Sequence, residues 1–237
     1  MLKTFRLKTD KIHNFYKIIA TDEHNRYDSW KHCFETFGNL NQDDDYLALH
    51  LGFYLASWGM YRGSAALLQK SYKIHIGAVK ILKENKHLRC NFQNEVSKDD
   101  IELVLSLYKQ LYNYYLEFSY FDKNNSLGVR KPTDTLISKI ILGTLGCCPA
   151  FDRYFNDGVK KYNFGFTKFT NKSFDEVFIF IELYKSELSQ LQAELLLSEK
   201  IHYPLLKLVD IYIFGMRGLV LIKKYKRLLC LISKFVN

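Results

Sequence analysis

Apolar residues recur at three- and four-residue steps along most of the chain, in long runs separated by few turn residues. That period predicts helices. Tyr27, Trp30, Phe34 and Phe37 put an aromatic face on a helix over residues 23–37, capped by Thr21 or Asp22 and ended by Gly38 and Asn39. Residues 46–61 (YLALHLGFYLASWGMY) are apolar nearly all round and predict a helix at the centre of the core, with the acidic stretch 41–45 at its positive end. Shorter helices follow at 64–69, capped by Ser64, and at 74–84. Ser97 opens a strong helix over 98–121, and Thr133 one over 134–145 that stops at a glycine. A short helix starts near Pro149, Ser173 caps a long acidic one reaching Lys200, and two more cover 203–214 and 219–235. Only residues 162–170 (YNFGFTKFT) alternate apolar and polar side chains, so a β-hairpin is expected there at most. The predicted fold is all-α: a single multi-helix domain over residues 1–237 with about nine to ten helices, and 122–128 as the one place for a two-lobe split.

Composition narrows the class. The chain has 237 residues, 48% hydrophobic and 25% charged, which gives a real core and excludes disorder. No uncharged apolar run is long enough to span a membrane, and the first residues lack the apolar core of a secretory signal. Five cysteines, odd in number and without a CxxC pair, suggest neither disulfides nor zinc, but buried thiols in a reducing cytoplasm. Seven histidines show no HxxxH or HExxH spacing, so no metal site is expected, and His50 reads as a core histidine. No phosphate-binding glycine loop with its lysine and hydroxyl is present, and no cofactor is implied.

Charge points towards a polyanion partner, nucleic acid or an anionic surface. The net charge is +9. Residues 123–172 carry nine cations against three acids, and 201–237 carry seven against one. In 153–172, Arg153, Lys160, Lys161, Lys168 and Lys172 interleave with Tyr154, Phe155, Tyr162, Phe164, Phe166 and Phe169. Cations there can neutralise phosphates while aromatic rings stack on unpaired bases. Between Gly59 and Gly63 lies Arg62, with Ser64 next, a turn where backbone and side chains can approach a phosphate.

One stretch combines turn chemistry, cations and a lone carboxylate: residues 127–155, LGVRKPTDTLISKIILGTLGCCPAFDRYF. Gly128 and Val129 stand at a glycine turn and Arg130-Lys131 follow it. A helix comes next, and Pro149-Ala150-Phe151 lead into Asp152. This stretch resembles the helix-hairpin-helix DNA glycosylase superfamily. The resemblance implies backbone contact with a DNA phosphate at the hairpin, Lys131 as a Schiff-base nucleophile, and Asp152 as the carboxylate that stabilises positive charge on the sugar or positions water. A second hairpin glycine and a four-cysteine cluster are absent, so Asp152 carries more of the resemblance than Lys131.

The leading expectation is a basic helical protein that binds nucleic acid and, if an enzyme, hydrolyses an N-glycosidic bond. Asp152 and Lys131 would be its catalytic residues, with Arg62, Arg130, Arg153, Tyr154, Lys160, Lys161 and Lys168 along the nucleic acid. The alternative is a non-enzymatic helical interaction module whose basic faces meet an acidic partner. A third reading lays residues 219–236 on an anionic membrane.

Overall fold

The computed structural model describes residues 22–62, 67–121, 127–129, 131–161 and 164–213. Among them the chain forms nine α-helices: α1 (Asp28–Thr36), α2 (Asp44–Ser57), α3 (Ile76–Glu84), α4 (Ile101–Leu116), α5 (Asp134–Thr144), α6 (Arg153–Lys161), α7 (Asn171–Leu183), α8 (Lys185–Glu199) and α9 (205–213). Three short 3-10 segments, Tyr72–His75, Lys86–Leu88 and Lys98–Asp100, lead into or link them. Strands β1 (Ser119–Phe121) and β2 (Leu127–Val129) pair antiparallel, with Tyr120 opposite Gly128. The all-α class holds. Of the predicted helix at 64–69, residues 67–69 form a turn and the rest lie outside the described residues, as does the whole of that at 219–235.

Several helix starts follow the expected side-chain chemistry. Ser97 and Asp100 form a capping box, Thr133 accepts the Leu136 N–H at 3.2 Å, and Asp43 accepts from Asp45 N at 2.8 Å. Other starts shift. The first helix begins at Asp28 because Asp22 and Asn25 take the His24 and Tyr27 N–H groups, both at 3.0 Å, and hold residues 22–27 in turns. The long acidic helix breaks at Tyr184, whose φ of −122° and ψ of 24° leave the helical region. Its cap is Thr170, which accepts from Ser173 N at 3.3 Å. The sixth helix starts at Arg153, four residues after Pro149.

No strand forms over residues 164–170. Their backbone N–H groups go to local turn carbonyls, as at Phe164, Thr167 and Thr170, or to side chains. Gly165 N donates to Glu176 at 2.8 Å and Phe169 N to Asp134 at 3.3 Å, while Phe166 and Phe169 turn into the core. The alternation there reflects aromatic packing and not a pleat. The strand pairing lies at 119–129, where Gly128, expected in a turn, is a strand residue.

The centre of the core is α5. Residues 136–152 are buried without interruption. Helices α1, α2 and α4 pack on α5, and one hydrophobic cluster extends from Trp30 to Ile213. Helix α2, predicted central, buries Leu47, Leu51 and Leu55 but leaves Tyr46, Leu49 and Phe53 exposed along one side. His50, predicted in the core, is half-buried on that side and shares a 2.7 Å hydrogen bond with His32. At the end of α5, Arg89 donates to the Thr144 carbonyl and, at 2.7 Å, to the Phe34 carbonyl, and Cys90 N donates to Leu145 O at 2.9 Å. Gly146 then turns the chain with φ of +73°, a conformation that favours glycine. A Cβ there would also meet Pro204 and Phe34 at under 3 Å.

The described cysteines, Cys33, Cys90, Cys147 and Cys148, are buried free thiols, and burial raises each above the ordinary thiol range. Among the described residues His75 is the one histidine wholly enclosed, held by Tyr61 OH at 2.7 Å and Tyr115 OH at 2.6 Å. Burial pulls it down to about 3. Between its ordinary value of about 6.5 and that value the unfolded chain binds the extra proton, so stability rises with pH. Thermal melts should therefore show a midpoint that falls as pH is lowered below about 6.5, with a contribution of up to about 1.4 kcal/mol per pH unit from this residue. The slope should flatten in His75→Gln; an unchanged slope in that variant would exclude His75 as its source.

A candidate cleft built on two buried lysine–aspartate pairs

Lys139 lies in the middle of α5, where every neighbour in sequence is buried, and its own side chain is 4% exposed. An ammonium in that position requires a counter-charge. Asp152 supplies it: Lys139 Nζ lies 2.8 Å from Asp152 Oδ2. The other oxygen, Oδ1, accepts from Phe155 N at 2.9 Å and caps α6. Asp152 is thus both a helix cap and half of an ion pair.

The chain reaches Asp152 through a buried strap, residues 147–152, that runs back along α5. Three of its backbone polar groups are satisfied by side chains, as burial demands. Phe151 N donates to Ser138 Oγ at 2.9 Å, Thr135 Oγ1 donates to Phe151 O at 3.1 Å, and Ala150 N donates to Asp210 Oδ1 at 3.1 Å. Asp210 comes from α9 and repeats the pattern of Asp152: one oxygen on a backbone N–H, the other on a lysine, here Lys207 Nζ at 3.0 Å. Each ammonium also rests on an indole, Lys139 4.6 Å from the Trp58 ring centre and Lys207 4.8 Å from that of Trp30. Trp30 is fixed in turn by its Nε1, which donates to Leu142 O at 3.0 Å.

These four charged groups form the floor of a cleft of about 510 Å³. Trp30, Trp58, Tyr27, Tyr54 and Tyr203 wall it, and Asp22, Glu23, Asp28, Glu35 and Glu199 stand round its mouth with Lys31 and His32. Lys31 Nζ donates to the Glu199 carbonyl at 2.8 Å. Tyr54 is nearly fully enclosed, and burial holds its phenol well above the ordinary tyrosine range, aided by nearby Cys33, Asp210 and Asp152. Burial also pulls Lys207 below the ordinary lysine range; Asp210 opposes that shift and Lys139 adds to it. Seven carboxylates against three lysines leave the lining with a formal charge of −4, with His32 neutral, inside a protein of net charge +9.

Of the site residues expected from the sequence, Asp152 alone lines this cleft. Lys131, Arg62, Arg153, Lys160, Lys161 and Lys168 are exposed and line no part of it, and Arg130 lies outside the described residues. Tyr154 is half-buried, with the Arg153 guanidinium 5.1 Å from its ring centre. Lys139, Lys207 and Asp210 escaped sequence reasoning. Their signal was a charge placed inside an apolar run, ISKIIL for the first and PLLKLVDIYIF for the other two. Among the described residues no group of three or more His, Cys, Asp or Glu side chains is arranged to hold a metal, and no helix is long and apolar enough to cross a membrane. No protein family, curated protein or solved structure matches the chain.

Breaking one buried pair leaves an uncompensated charge. Asp152→Ala should cost about 3–5 kcal/mol in urea unfolding, because it strands Lys139 and uncaps α6. The double substitution Lys139→Met with Asp152→Leu should recover most of that loss. A single substitution as mild as a surface change would show that the pair is not desolvated.

Proposed function

We propose that the protein binds a small polar organic molecule in this cleft. The ligand's acceptor end meets Lys139 and Lys207, and its positively charged end lies at the acidic mouth. The observation that carries this reading is the sign of charge: the lining is net negative while the protein as a whole is strongly basic. The floor adds direction. An ammonium has three N–H donors, and each of these lysines gives one to its aspartate, which leaves donors for a ligand carbonyl, carboxylate or hydroxyl. The aromatic walls supply apolar contact and cation–π attraction, as small-ligand sites usually do.

Thermal-shift and calorimetric titrations with matched sets of small amines, amino acids and carboxylic acids test it. Cationic and zwitterionic compounds should raise the melting temperature and purely anionic ones should not. Glu35→Gln should weaken binding a few-fold, and the effect should shrink at high salt. Equal binding of anionic compounds would reject the reading.

A second reading is nucleic-acid binding. It is favoured by the solvent exposure of Arg62, Lys131, Arg153, Lys160, Lys161 and Lys168. In its glycosylase-like form a base enters the aromatic cleft and Asp152 is the carboxylate beside the sugar. That form asks the nucleic acid to pass five carboxylates at the mouth and asks Asp152 to act while Lys139 and Phe155 N hold it. It therefore ranks below the small-ligand reading. Duplex titration across salt decides it: log Kd should rise linearly with log salt if several phosphates are contacted. Asp152→Asn should then remove base release and leave binding intact.

A further inference from the structure

Lys207 differs from the surface lysines in three respects that bear on chemistry. It lines the cleft, beside Trp30 and Asp210. It is nearly fully buried against the Trp30 indole, which takes away most of the water that stabilises an ammonium. It shares the floor with a second lysine, Lys139. Loss of hydration together with a neighbouring cation is the arrangement that turns a lysine into a nucleophile. Asp210 Oδ2, 3.0 Å from Nζ, is within reach to accept and return a proton.

We propose that Lys207 is a reactive amine that condenses reversibly with the carbonyl carbon of a small aldehyde or ketone held in the cleft. The amine lone pair forms the N–C bond to give a carbinolamine. The carbonyl oxygen then leaves as water, carrying both amine protons by way of Asp210, and a C=N bond remains. No oxidant or reductant enters the step. The inference uses the cleft described above but not its preference for positive charge, which a charged carbonyl compound probes separately.

The charged groups that act on Lys207 are Asp210 from its own helix, Lys139 from α5 and Asp152 at the start of α6. Asp210 and Asp152 favour the ammonium, and burial and Lys139 favour the free amine. The amine therefore becomes available at lower pH than that of a solvated lysine.

The test is reductive trapping of the whole chain with propanal and cyanoborohydride at neutral pH, with peptide mass mapping of every modified lysine. Lys207 should be modified several-fold faster than the exposed Lys160 and Lys168, because burial favours its free amine. In Asp210→Asn the pH of half-maximal labelling should move down, and in Lys139→Met it should move up, a pair of opposite shifts that mere loosening of the fold does not produce. Should both variants fail to fold, the wild-type rate ratio and pH profile still decide. Labelling of Lys207 no faster than Lys160 and Lys168, or at the same pH as theirs, overturns the proposal. Repeating the measurement with 3-aminopropanal reads the acidic mouth independently: a gain over propanal at Lys207 alone supports the preference for cations, and equal rates remove that preference while leaving the reactive amine in place.

Discussion

The ammonium of Lys139 in the buried centre of α5 is the constraint on which the rest of the structure depends. A hydrated charge cannot be carried into that position, so the fold must bring a carboxylate to it. Asp152 has to arrive opposite Lys139 and also start α6, which fixes the length and path of the 147–152 strap. The strap then needs partners for its own N–H groups. It finds them in Ser138 and in Asp210, and Asp210 draws in Lys207. One charged residue thus organises α5, the strap, α6 and α9. Such a network adds little net stability over apolar packing of the same shape, because desolvation offsets most of the attraction. What it adds is a single permitted register between four elements.

The same network explains why the protein's overall charge is a poor guide to its cleft. The two pairs on the floor cancel, so the potential in the cleft is set by the five carboxylates at its mouth, offset by Lys31. The exposed cations expected to meet a polyanion stand on other surfaces, and at physiological salt their influence fades over about 8 Å. A ligand inside the cleft and a polyanion outside it meet different fields. The two functional readings therefore compete for the role of Asp152 and not for the protein as a whole.

Helix positions were legible in the sequence where a side chain caps the turn, as at Ser97 and Thr133, because that chemistry is local. The choice of central helix was not. By average apolarity α2 and α5 are alike, yet α5, with Thr135, Ser138 and Lys139 along it, is buried all round while α2 leaves one side exposed. Those polar residues imitate a solvent face in sequence and are used by the strap in the fold. Asp152 stood out because it is a lone acid after a turn in a basic stretch. Asp210 could not be joined to it by spacing, since the contact between Asp210 and the strap spans 60 residues. The strand-like alternation at 162–170 misled for the complementary reason: its N–H groups are taken by local turns and by two distant side chains, Glu176 and Asp134, and not by a neighbouring strand.

The two floor lysines are not equivalent, and the difference lies in where each finds its aspartate. If Lys139 released Asp152, an unpaired ammonium would remain inside the central helix, and the carboxylate that caps α6 would lose its counter-charge. Asp152 would keep its bond to Phe155 N, but re-forming the pair depends on α5 and the start of α6 holding their relative positions. If Lys207 released Asp210, the carboxylate would keep its bond to Ala150 N, so the strap would hold. Both partners sit one turn apart on α9, so re-forming the pair moves no other element. An amine that can exchange its partner without disturbing the fold is the one free to take part in chemistry. Lys139 is tied to the architecture, and Lys207 lines the same cleft with fewer obligations.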